Sequence, residues 1–200
     1  MKIWTLQDCA ILDDLAKYGV AYCNQRSWLC NEFSIMYDWM AKQMRSRIGE
    51  PPLAKVQYPL WGWAQYTSQK SPKPPYGPAM LDSNKTQSVF IEAEIPDKEV
   101  LLSDFILWGS VLNGWNILKN KELEKRIDRF VKENDCGYVF NSYPDDIKDQ
   151  IIDTWDRIFD FGIRDKAYGG RHKRNRAIQA TFWQLKSDYI ISTQVIKRSR

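Results

Sequence analysis

The 200-residue chain is 44% hydrophobic and 27% charged, with a formal net charge of +4. That length suits one ordinary globular domain and the apolar fraction suffices for a core, so disorder, collagen-like repeats and a small disulfide scaffold are excluded. No stretch approaches the roughly 18 consecutive apolar residues of a membrane helix, and Lys2 introduces a charge before a signal-peptide run develops, so the sequence reads as cytoplasmic.

In chain order, Lys2 to Gln7 alternates Ile3 and Thr5 against Trp4 and Leu6, which predicts a first strand. Asp8 is placed to cap a helix running to about Lys17, apolar at Ile11, Leu12 and Leu15 and stopped at Gly19. From Trp28 to Ile48 the apolar residues Leu29, Phe33, Met36, Tyr37, Met40 and Met44 form a helical stripe, ended by Gly49 and two prolines. Val56 to Tyr66 is aromatic and β-branched and reads as a strand. Residues 68–84 hold four prolines without periodicity and read as a long loop.

Val89, Ile91, Ala93 and Ile95 alternate with Phe90, Glu92 and Glu94, the clearest strand in the chain. Pro96-Asp97 turns the chain toward a partner strand at Val100–Leu102. Ser103 or Asp104 then caps a helix through about Leu118. Further helices are predicted near 121–132 and 145–161, and a last strand over Ile178–Leu185, after which Ser187-Asp188 starts a short turn or helix. The whole is one α+β domain over residues 1–200, with a small mixed or antiparallel central sheet flanked by helices.

The chemistry-bearing residues are unevenly distributed. Four cysteines (Cys9, Cys23, Cys30, Cys136) without a Cys-x-x-Cys pair, and the single His172, do not assemble a zinc site; they read as buried thiols, with no metal expected. One histidine among arginines and lysines is also a poor basis for a hydrolytic triad. Nine tryptophans serve core packing, yet Trp61 and Trp63, two apart in a strand, share a face that suits stacking on a base or a nicotinamide ring. Glu92 and Glu94 likewise share a face, and their ordinary role is a solvent-facing strand. Residues 165–200 carry +7 against −3 for the rest, focused in the basic loop of residues 165–177 at Arg171, Lys173, Arg174 and Arg176. Segregated arginines of this kind suit phosphate contact, with nucleic acid as the partner and no membrane implied.

The segments Trp4-Thr-Leu-Gln7, Tyr58-Pro-Leu-Trp-Gly-Trp63, Glu94-Ile-Pro-Asp-Lys-Glu-Val-Leu-Leu-Ser-Asp-Phe105 and Gln179-Ala-Thr-Phe-Trp183 resemble an uncharacterised bacterial domain-of-unknown-function family, number three-eight-four-one. The layout also resembles, more distantly, the DarT-like ADP-ribosyltransferases. These open with a strand and a glycine-ended helix, continue through an aromatic strand and a Pro-rich segment, and close on a Gln-Ala-Glu strand before a Tyr-Ile element. Here the closing strand is Gln179-Ala180-Thr181, followed by Tyr189-Ile190. The resemblance implies an ADP-ribosyltransferase-like fold binding NAD or a related nucleotide, with nucleic acid as a substrate to modify. Trp4 and Gln7 (or Thr5) would line the pocket, and Trp61, Trp63 or Tyr66 would stack. Gln179 would contact ribose or substrate, and Glu94 or Asp104 would replace the carboxylate missing at Thr181. The alternative on the same fold is a catalytically inactive module that binds a nucleotide, a nucleic acid or a protein.

Overall fold

The computed structural model describes residues 1–23, 33–77, 87–117, 120–162 and 175–197. The fold is α+β, with eight strands and five α-helices among the described residues. In order these are β1 (Lys2–Gln7), α1 (Ala10–Tyr18), β2 (Val20–Tyr22), α2 (Ser34–Ile48), β3 (Leu60–Gln65), β4 (Gln87–Glu94) and β5 (Leu101–Asp104). There follow α3 (Phe105–Leu112), α4 (Lys121–Asn134), α5 (Asp145–Thr154), β6 (Ile178–Phe182), β7 (Gln184–Lys186) and β8 (Ile190–Lys197). Six strands form one sheet in the order β5-β6-β3-β1-β4-β8, and β2 pairs with β7. The β1–β3, β1–β4, β3–β6 and β4–β8 pairs are all antiparallel.

Contacts divide the chain into two units, Met1–Leu102 with Arg176–Arg200, and Ser103–Asn175. In the first unit, one face of the sheet presents Ile3, Leu60, Val89, Ile91, Ala93, Ala180 and Phe182, and these cluster with Ile11 and Leu15 of α1. Alternation on β4 therefore works as its sequence predicts: its odd-numbered residues enter this core. Helix α1 also ends as predicted, at Gly19, whose N–H bonds the Leu15 carbonyl and whose φ of 70° turns the chain out of the helix. Asp8 Oδ1 accepts the Ala10 N–H at 3.0 Å, at the start of the same helix. Strands β1 and β3 cross closely at Gly62, where a Cβ would lie 2.8 Å from Ile3 Cγ2 and 2.9 Å from the Trp4 carbonyl oxygen.

The second unit is helical. Its centre is Trp155, fully buried, whose indole N–H donates to the Trp115 carbonyl at 2.9 Å. The Thr154 hydroxyl accepts the Ile117 N–H at 2.9 Å, and Phe140 packs on Trp155 with ring centroids 5.5 Å apart.

Several elements differ from the sequence reading. The strand after Pro96 forms, but it lies beside β6 at the opposite edge of the sheet; β8 is the outer neighbour of β4. Pairing follows contacts made far along the chain, and the turn at Asp97–Glu99 is a 3-10 turn rather than a hairpin loop. The helix predicted through Leu118 stops at Leu112, because Gly114 adopts a φ of 66°. The helix predicted to residue 161 becomes α5 followed by a 3-10 turn over Trp155–Phe159. The helical stripe from Trp28 is described only from residue 33, and α2 begins at Ser34. Cys9, Cys23 and Cys136 are half-buried rather than buried, and Cys30 lies outside the described residues.

Candidate functional site

The second face of the sheet gathers most of the residues singled out in the sequence. Across β4, β1, β3 and β6 the residues Glu92, Trp4, Trp63 and Gln179 are successive register partners. Partners in antiparallel strands share a face, so the four side chains form one row across about 14 Å, three inter-strand spacings. One step along, Trp61 partners Thr181. Trp63 meets Tyr66 edge-to-face with centroids 5.0 Å apart, and Trp61 meets Tyr37 of α2 in the same manner at 5.9 Å. Trp61, Trp63 and Tyr66 are half-buried, while Trp4 is only 5% exposed.

Two buried polar atoms on this row have no hydrogen-bond partner among the described residues, Gln179 Oε1 and Trp4 Nε1. They differ in character. The Trp4 indole sits near the Glu92 carboxylate, close enough to favour its ionised form but outside hydrogen-bond geometry. For Gln179 Oε1 no comparable interaction is found among the described residues. A buried acceptor without a donor costs roughly 1–3 kcal/mol, a cost that a donor arriving on the face would offset.

Glu92 is the anionic end of the row. Lys2 Nζ approaches its carboxylate at 3.0 Å and Lys73 Nζ at 3.3 Å. The Lys2 hydrogen bond holds the Glu92 pKa below the ordinary carboxylate value, outweighing desolvation, and the Trp4 indole and Lys73 add to it. Lys73 also stands 4.9 Å from the Tyr76 ring centroid and 5.7 Å from that of Phe90, and these two rings stack at 4.9 Å. Sequence alternation on β1 places Lys2 on the face of Trp4. Tyr37 and Lys73 come from a helix and a loop, and nothing in the strand pattern announces them.

Other residues singled out in the sequence stand apart from the row. Gln7 is on the core face of β1, where its side-chain amide donates to Thr5 Oγ1 at 2.6 Å and to the Trp61 carbonyl at 3.4 Å. It ties β1 to β3 and does not line the aromatic face with Trp4. Glu94 shares the strand face of Glu92 but is exposed at the end of β4. Asp104 is 1% exposed and caps α3, with Oδ1 accepting the Ile106 and Leu107 N–H groups at 2.9 and 3.1 Å. Thr181 is fully buried and its hydroxyl donates to the Leu101 carbonyl at 3.2 Å.

Arg176 corrects the picture of an exposed basic loop. It is 2% exposed, and its carbonyl accepts the Gln65 side-chain amide at 2.6 Å. Surface phosphates therefore do not reach it. Arg171, Lys173 and Arg174 lie outside the described residues. A cavity of about 510 Å³ occurs in the second unit, and none of the residues expected to hold a nucleotide lines it.

The model of the family described as "Domain of unknown function (DUF3841)" matches residues 2–191. The chain belongs to that family. No curated protein and no solved structure gives a significant match.

Proposed function

We propose that this member of the family binds NAD or a related nucleotide on the aromatic face of its sheet, in an ADP-ribosyltransferase-like layout, and holds it without transferring the sugar. The observation that carries the reading is Gln179 Oε1, a buried acceptor without a donor, in register beside Trp63. An aromatic ring next to an unmet acceptor suits a flat heterocycle that carries an N–H donor. The nicotinamide carboxamide and the exocyclic amine of adenine both have that form.

Binding without transfer is favoured by what surrounds the row. The resemblance calls for a carboxylate two residues after Gln179, where charge develops on the sugar as nicotinamide leaves. Thr181 stands there, sealed from solvent, with its hydroxyl committed to Leu101. Asp104 is committed to its helix cap, and Glu92 to two lysines. Glu94, exposed at the end of β4, is in register with Lys2 rather than Trp4.

A thermal-shift series with NAD, ADP-ribose and nicotinamide, run beside an assay for nicotinamide release, tests both halves. NAD raises the unfolding temperature, since a ligand at 100 times its dissociation constant adds about 2.7 kcal/mol. Gln179→Met keeps the side-chain length and removes the acceptor; it weakens NAD by roughly five- to tenfold. No shift with any of the three ligands at millimolar concentration overturns the reading. Release of nicotinamide overturns its silent half and makes the chain a transferase.

A further inference from the structure

Trp115 and Tyr138 are 56% and 62% exposed, an unusual state for two large aromatic side chains in a unit with its own core. Both line the cavity of about 510 Å³, with Tyr143 and Ile127 as further walls and Glu124 and Asp128 contributed by α4. That volume falls in the roughly 300–1,000 Å³ range of small-molecule sites. Glu124, Ile127 and Asp128 are three and four residues apart, so one helix face delivers both carboxylates and an apolar side chain to the same wall.

The polar groups converge. Asp128 Oδ1 accepts the Tyr138 hydroxyl at 2.9 Å, and among the described residues no lysine or arginine pairs with that carboxylate. Of the α4 cations, Lys125 pairs with Glu122 and Arg126 with Asp146. Burial foremost, then Cys136, Tyr138 and Asp128, raises the Tyr143 phenol above its ordinary pKa.

The Asp128 carboxylate repels an anion. Aromatic faces offer no oxygen ligands to a metal, and the described residues hold no group of three or more metal-ligating side chains. Ring faces beside a carboxylate that no described lysine or arginine pairs with favour a soft, weakly hydrated positive charge. We infer that this cavity binds a small organic cation with an alkylated ammonium head, the rings of Trp115, Tyr138 and Tyr143 against the head and Asp128 supplying the countercharge. This site is independent of the nucleotide reading, because no residue is common to the two.

Calorimetric titration of the full chain with choline, and with its neutral isostere 3,3-dimethylbutan-1-ol, decides the matter. Choline gives a saturable isotherm, and the isostere binds roughly tenfold more weakly. Asp128→Asn and Trp115→Leu each weaken choline about five- to tenfold, leave the unfolding temperature in place, and leave NAD binding unchanged. Equal affinity for choline and the isostere, no choline binding at millimolar concentration, or an unaffected Asp128→Asn variant each overturns the inference. Tighter binding of N-acetylarginine amide than of choline also overturns it, because the occupant would then be a side chain of a protein partner.

Discussion

Glu92 shows how a single covered carboxylate stays charged on a sheet face. Its side chain is 13% exposed, and the two lysines that bracket it are 52% and 41% exposed. In the folded chain its pKa is below the ordinary 4.5, so on acidification the unfolded chain takes up the proton first. The pairing therefore contributes fully above the ordinary value and is lost as pH falls through the lowered one. Glu92→Gln removes the charge while Lys2 and Lys73 regain water, so its cost at neutral pH is modest, about 1 kcal/mol or less. Urea denaturation between neutral and acidic pH checks this: the variant starts slightly less stable and loses less on acidification. Parallel curves for the two proteins would show that the pairing is not formed. Thr181 makes the opposite case on the same face, since its polar group is satisfied by the Leu101 carbonyl and has no ionisation to lose.

At the level of elements, Gly114 decides where α3 can end and how the second unit closes. It has a φ of 66°, and a Cβ there would stand 2.2 Å from Phe140 Cβ. Phe140 is 5% exposed and packed against Trp155, so it has little room to give way. Gly114→Ala combines left-handed backbone strain with overpacking, together roughly 3 kcal/mol, and lowers the unfolding temperature by about 6–12 °C. Gly77→Ala is the control, because nothing lies within 4 Å of its Cβ position. Equal melting of the two variants would refute the packing argument. The same contrast explains what the sequence made legible. Period-two alternation identified β4 and its core face, and Gly19 marked the end of α1, because both are local signals. The partner of β5 was not legible, since that pairing depends on a strand far along the chain. Nor was β8, an edge strand where only Ile196 is buried and no apolar stripe betrays the pattern. Trp61 and Trp63 were correctly paired on one face by their spacing. Trp4 and Gln7, three apart, share a pocket only in what the resemblance implies; alternation alone sends them to opposite faces.

Charge is divided along the whole molecule, with +7 in residues 165–200 set against −3 in the remainder. We propose that a nucleic-acid partner is engaged through this basic stretch, and the burial of Arg176 refines what the engagement looks like. With Arg176 2% exposed, three cations of the loop are left for phosphates: Arg171, Lys173 and Arg174. Each phosphate contact contributes roughly 0.7–0.9 to the slope of log affinity against log salt, so three contacts give a slope of about −2 to −3. Replacing the three with alanine flattens that slope and weakens binding alike across sequences, because phosphate contacts position rather than specify. Arg176→Ala behaves differently. It lowers the unfolding temperature by removing a buried side chain, and it leaves the salt slope where it was. Fluorescence anisotropy over a salt series, read beside thermal unfolding of the same variants, separates the two effects. A wild-type chain that binds no nucleic acid at low salt would end the proposal. If Arg176→Ala flattened the slope as much as the triple variant does, the side chain would have to reach phosphate despite its burial, and the division of roles between Arg176 and the other three cations would be wrong.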